Sequence, residues 1–140
     1  MMNFDPTEQL ITRLRRHGLR PTRQRVRLAR LLLNGQDRHV RPDDIYEQLK
    51  SDPDKLSRGT VYNTLRQFCD VGLLNEVHGV SDTLVYDTNL NDHYHFLNIE
   101  TGELMDIQRE KVQIRQLPDL PEGYAINAVE LTIRICKSSQ

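Results

Sequence analysis

Apolar residues return every three or four positions through the first half of the chain and every second position after it. The first stretch predicts four helices. Leu10, Ile11 and Leu14 make a one-sided stripe that Gly18 ends, with Asp5 as a cap, Pro6 in the first helical position and Glu8 in the first turn. A second helix is expected from Thr22 to Leu33, with Val26, Ala29, Leu32 and Leu33 inward and Asn34-Gly35 as its stop. A third begins near Pro42, where Asp43 and Asp44 suit the positive end of a helix, and turns Ile45, Tyr46 and Leu49 to the core. The fourth lies in SRGTVYNTLRQFCDVG, with Ser57 as cap and Val61, Leu65 and Phe68 on one buried face.

After Gly72 the pattern alternates. LLNEVH and TLVYD flank GVSD, so residues 73–87 read as a β-hairpin. Helices followed by such a hairpin are the order of a winged helix-turn-helix. Two more strands are expected around Glu100-Thr101-Gly102, then a short helix at 108–116 before Pro118 and Pro121 break the chain. In the last strand Val129, Leu131, Ile133 and Ile135 alternate with Glu130, Thr132 and Arg134. A long strand at the end of a small α/β unit often pairs with a twin across a dimer axis.

Charge changes this picture. The net charge of −1 over 140 residues hides 14 Lys and Arg against 9 Asp and Glu in residues 1–72, and 5 against 11 in residues 73–140. A basic half suits a polyanion as partner. On the fourth helix, Tyr62, Asn63 and Arg66 are side-chain types that touch bases or phosphates, and Thr60 can bond a phosphate; Arg58 shares the outer faces. The competing reading is a solvated face on a protein-binding winged helix, which would not show a steep loss of DNA affinity with salt. No apolar run approaches bilayer length and no signal peptide is read, so a cytoplasmic protein is expected. Cys69 and Cys136, 67 residues apart, exclude a disulfide framework and a four-cysteine zinc site within one chain.

The segment DHYHFLNIETGELMD holds candidate metal chemistry. His93 and His95 point to one face of a strand, because side chains alternate with period two. A two-residue loop at Glu100-Thr101 would set Asp106 opposite His95; a bulge at Gly102 would shift that register by one. Imidazole with carboxylate favours iron, manganese or zinc over a soft ion. On its own an HxH pattern is more often an ordinary polar strand than a metal site. Two histidines and a carboxylate also suit a non-haem iron enzyme, but the strands are too few for a substrate-enclosing barrel and no set of nucleophile and base accompanies them.

GLRPTRQRVRLARLL, RHVRPDDIYEQL, GTVYNTLRQFCDVGLL and the HYH segment together resemble the ferric uptake regulator family, in its order and spacing, over about residues 10–136. The resemblance implies an α+β protein: an N-terminal winged helix-turn-helix DNA-binding domain (1–88) and a small α/β dimerisation and ligand-sensing domain (89–140). It implies a homodimer that binds an AT-rich palindrome in double-stranded DNA. Tyr62 would contact a base and Arg20 would enter the minor groove. Arg23, Arg58, Thr60, Asn63 and Arg66 complete the expected DNA-binding set. The family's sensory site maps onto His39, Asp87, His93, His95 and Asp106, with Asp at two positions where Glu is common; His17 and His78 receive no role.

The departures from the family also inform. Asn98 and Thr101 stand where its CxxC would be, so no structural zinc held by four cysteines is expected. Tyr94, Gln113 and Cys136 fall where a second family site has stronger ligands. The tail, with LPEGY and LTIRICK, is most similar to the iron response regulator branch. That likeness implies regulation of iron and haem genes, with haem or Fe(II) as the ligand and Mn(II) or Zn(II) as alternatives. Residues 1–10 hold no cysteine, so haem would use His93 and His95. A manganese- or peroxide-responsive regulator is the main variant.

Overall fold

The helices form where the apolar periodicity puts them, in a computed structural model that describes residues 6–139. The chain divides into two compact units, one ending at Leu90 and the other beginning at Asn91. Helix α1 spans Pro6–Arg16 and buries Leu10 and Leu14; the capping role read for Asp5 lies outside the described residues. Helix α2 spans Arg23–Leu32, and the Thr22 hydroxyl accepts the Arg25 amide at 3.3 Å. Its buried residues are Leu28, Ala29 and Leu32, while Val26 and Leu33 are only partly buried. Leu28 enters the core because α2 packs against both α1 and the fourth helix, which widens its apolar arc.

Helix α3 (Pro42–Leu49) starts at its proline and buries Ile45 and Leu49, with Tyr46 at the core's edge. Helix α4 (Arg58–Asp70) is capped by Ser57, whose Oγ accepts the Thr60 amide at 3.1 Å, and buries Val61, Thr64, Leu65 and Phe68. Helices α1 and α4 end alike. Gly18 (φ 77°) and Gly72 (φ 84°) take the left-handed turn. The next residue then donates back across it, Leu19 to the Leu14 carbonyl at 2.9 Å and Leu73 to Phe68 at 2.8 Å. Each of these four leucine and phenylalanine side chains is buried, so the cap also closes the core.

The first unit carries a three-stranded sheet in the order β1-β3-β2, formed by β1 (His39–Val40), β2 (Asn75–Glu76) and β3 (Tyr86–Asp87). The expected hairpin over 73–87 is present but short: beyond the two-residue ladder, the Val77 amide bonds Val85 at 2.8 Å. Leu73 and Leu74 leave it to seal the core beneath α4. Strand β1 had no periodic signal, since two residues cannot show a period.

In the second unit, β4 (His93–Asn98) lies between β5 (Leu104–Gln108) and β6 (Thr132–Ile135). Strands β4 and β5 are antiparallel with His95 opposite Asp106. The loop is longer than two residues: Asn98 donates to the Glu103 carbonyl at 2.9 Å and accepts from the Gly102 amide at 2.8 Å. Because it grows by one residue on each side, the register matches that of the shorter loop, and Gly102 (φ 78°) serves the turn. The helix expected at 108–116 is only a 3-10 turn at Arg109–Lys111. Val112 and Ile114 are two apart, on opposite sides of any helix, and Pro118 denies the next turn its hydrogen bond. The last strand is shorter than the alternation from Val129 suggests. It pairs in parallel with β4, beginning at His95 with Thr132.

Candidate metal centre and nucleic-acid interface

Strand alternation and the β4–β5 register put three potential ligands on one face of the second unit. The His93 and His95 Nε2 atoms lie 3.0 Å apart. The Asp106 Oδ1 atom is 3.4 Å from the first and 3.5 Å from the second. His93 Nδ1 stands 2.5 Å from the Asn91 carbonyl oxygen, which can only accept, so Nδ1 carries the proton and a neutral ring turns its Nε2 lone pair inward. His95 is buried and Asp106 partly exposed, leaving the trio one wet side.

A second pair sits in the first unit. His39 on β1 lies directly across from Asp87 on β3, with Nε2 and Oδ2 3.4 Å apart. Asp87 is 2% exposed, and its Oδ1 accepts the Asn89 amide at 2.9 Å. A buried carboxylate keeps its charge only with donors or a cation close by. All five residues read from the sequence as ligands therefore sit in ordered positions within their own unit.

The trio fits a single divalent ion. Nitrogen ligands about 2.1 Å from a metal are about 3.0 Å apart when they occupy adjacent octahedral positions and about 3.4 Å apart in a tetrahedron. The His93–His95 spacing of 3.0 Å matches the first. The donor set of imidazole and carboxylate suits iron, manganese and zinc. Tyr94 is buried on the opposite strand face and Cys136 is exposed.

The expected DNA-reading residues are presented by α4 and the start of α2. Asn63 and Arg66 are exposed one turn apart, with Arg66 Nη2 3.5 Å from Asn63 Oδ1. Tyr62 is half exposed, and its phenol is held above the ordinary value first by a hydrogen bond to the Asp43 carboxylate, then by its own partial desolvation and by the Asp43 charge. Arg58 pairs with Asp43 and lies over the Tyr46 ring at 4.5 Å. Thr60 joins the helix cap, its Oγ1 accepting from Ser57 at 2.9 Å. Arg20 is exposed, and Arg23 bonds Asp54 at 2.8 Å.

Three other arginines of α2 bond within the unit, Arg25 and Arg27 half-buried and Arg30 exposed. Arg25 reaches Gln67 on α4 and the Arg20 carbonyl, Arg27 reaches Asp52 at 2.7 Å, and Arg30 reaches the Thr7 hydroxyl. The partners of these arginines, and the Asn91 carbonyl behind His93, escaped the sequence reading. Arg27 and Asp52 are 25 positions apart and meet only in the folded chain, whereas the Asn91 carbonyl, two residues from His93, depends on the local turn of the backbone.

The model of the Ferric uptake regulator family matches residues 16–134. The peroxide-responsive repressor PerR of Staphylococcus aureus (strain Mu50) is 30% identical over 135 residues, covering 95% of this chain and 90% of that protein. Among solved structures, the ferric uptake regulator from Pseudomonas aeruginosa with manganese superposes with a TM-score of 0.71 at 23% identity, over 93% of this chain and 98% of that one. The one from Francisella tularensis with iron gives 0.68 at 21%, over 87% and 94%. The four helices, the winged sheet and the small second unit follow that fold, and no helix among the described residues is long and apolar enough to cross a membrane. An enzyme reading falls away with them, and the chain belongs to the ferric uptake regulator family of metal-responsive transcription regulators.

Proposed function

We propose that the chain is a cytoplasmic, homodimeric DNA-binding repressor of iron and haem genes, of the iron response regulator kind. Its hold on an AT-rich palindrome is set by an iron-class ion taken by His39, Asp87, His93, His95 and Asp106. The observation that carries this reading is the convergence of the His93 and His95 Nε2 atoms, 3.0 Å apart, upon Asp106. Imidazole and carboxylate together favour Fe(II) or Mn(II) over a soft ion, with Zn(II) also served. Ligands belong to both the helical unit and the strand unit, so a ligand that binds one arrangement of the two more tightly shifts the population toward it. Arg20, Arg23, Arg58, Thr60, Tyr62, Asn63 and Arg66 are the residues we assign to DNA.

Haem is the alternative ligand, through His93 or His95. The His93 and His95 Nε2 atoms converge on one point, so together they would hold one small ion, and haem iron would be held by one of them. That geometry supports a bare ion as the ligand of both.

The test is a gel shift on an AT-rich palindrome, run without ligand, with haem and with Fe(II), Mn(II) or Zn(II) in turn. Replacing both His93 and His95 with Ala should leave the helical content intact and remove the ligand's effect on DNA affinity. Equal ligand sensitivity in the double variant defeats the assignment. A second reading, a peroxide-responsive repressor, draws support from the relatives at 30% identity. It predicts that peroxide releases DNA from the Fe(II)-loaded protein and not from the Mn(II)-loaded one.

A further inference from the structure

We propose that Asp43 is a positioning residue for DNA reading, which holds Tyr62 and Arg58 of α4 in one pose before the duplex arrives. This rests on the reading of the chain as a DNA-binding regulator and adds to it a residue that itself touches no base.

The pose is built by side chains from two helices. Asp43 and Tyr46 lie three positions apart on α3, and Arg58 and Tyr62 lie four apart on α4, so each pair shares a helix face. The two faces meet. The Asp43 carboxylate accepts from Arg58 Nη1 and from the Tyr62 hydroxyl, and the Arg58 guanidinium lies over the Tyr46 ring, 4.5 Å from its centre. Tyr46 in turn packs against the core cluster, which ties the patch to the body of the unit.

One carboxylate therefore orients the Tyr62 hydroxyl and restrains a long arginine that would otherwise sample many rotamers. Side chains ordered in advance lose less entropy when they bind. The contact does little for the fold, since the Arg58 and Asp43 side chains are 55% and 51% exposed. Asp43 is also at ease in the first turn of α3 without these partners, because the amides there favour a carboxylate. By charge alone it opposes a polyanion. Its hydrogen bonds thus help a specific duplex, where Tyr62 must meet one base edge, while its charge weakens binding to every duplex alike.

The test uses full-length protein, the palindrome it selects from an AT-rich duplex pool, and a random duplex, with affinities read by fluorescence anisotropy. Asp43→Ala should weaken binding to the palindrome about tenfold. It should bind the random duplex no more weakly than the wild type does, with an unmoved thermal melt. Equal losses on both duplexes mark a merely structural contact, and gains on both a merely repulsive charge; either overturns the proposal. On the palindrome the Asp43→Ala and Tyr62→Phe penalties should overlap instead of adding, and full additivity also overturns it. A further readout needs no DNA. The Asp43 hydrogen bond, then partial desolvation and the Asp43 charge, hold the Tyr62 phenol above its ordinary value. In Asp43→Ala the ring NMR resonances of Tyr62 should therefore titrate at lower pH, and an unshifted titration denies the contact itself. If the alanine variant melts early, Asp43→Asn keeps the shape and should show the same signs at smaller size, because its amide oxygen accepts without charge. A wild type that binds no duplex at low salt, or prefers none, brings down the regulator reading, while the titration still decides whether Asp43 holds Tyr62.

Discussion

Arg25 separates two roles that a count of arginines merges. Its Nη1 donates to the Arg20 carbonyl at 2.9 Å, and its Nε and Nη2 donate to Gln67 Oε1 at 3.3 and 3.1 Å. These bonds tie α2 to α4, the helix that presents Tyr62, Asn63 and Arg66. Each hydrogen bond contributes about 1 kcal/mol net, and the exposed partners can turn to water when the guanidinium is gone, so Arg25→Ala should cost about 2 kcal/mol. For a chain of this size that lowers Tm by roughly 5 to 8 °C. The salt slope of DNA binding should stay as it was, because no phosphate contact is lost. Arg66→Ala should do the reverse, leaving Tm unmoved and flattening the slope by about one per head. Circular dichroism melts and salt-titrated fluorescence anisotropy on the same preparations read both quantities. An Arg25→Ala protein with an unmoved melt and a flattened slope would refute the division.

Other outcomes test the rest of the framework. Phe68 is fully buried between α4's neighbours, so Phe68→Ala should cost about 3 to 5 kcal/mol in a denaturant melt; a loss under 1 kcal/mol would deny it a place in the core. Burial pushes the Cys69 thiol up, with Glu76 and Asp70 adding to the shift, whereas Cys136 is exposed. At neutral pH alkylation should therefore label Cys136 first and Cys69 slowly, as peptide mass spectrometry of a time course will show. Faster labelling of Cys69 would contradict the burial described.

Much of the site was legible because its logic is local. His93 and His95 share a strand face at any register, and β-pairing needed only a loop centred on Glu100-Thr101 to bring in Asp106. The helix cap at Ser57 was readable for the same reason, since a cap and its amide lie three residues apart, whereas Thr22, read as the first residue of its helix, is that helix's cap. The helix expected at 108–116 failed where two proline-limited turns offered no apolar face to bury. Polar, helix-forming residues do not hold a helix without one.

By itself the sequence determined which segments coil, which extend, and which face of each is apolar, because these depend on neighbours within about one turn or one ladder step. The tertiary structure alone decided which arginine meets which carboxylate. It also decided that His39 lies across from Asp87, and that β6 runs parallel to β4. Those pairings join residues tens of positions apart, and their free energy comes from packing that exists only when the whole core has closed.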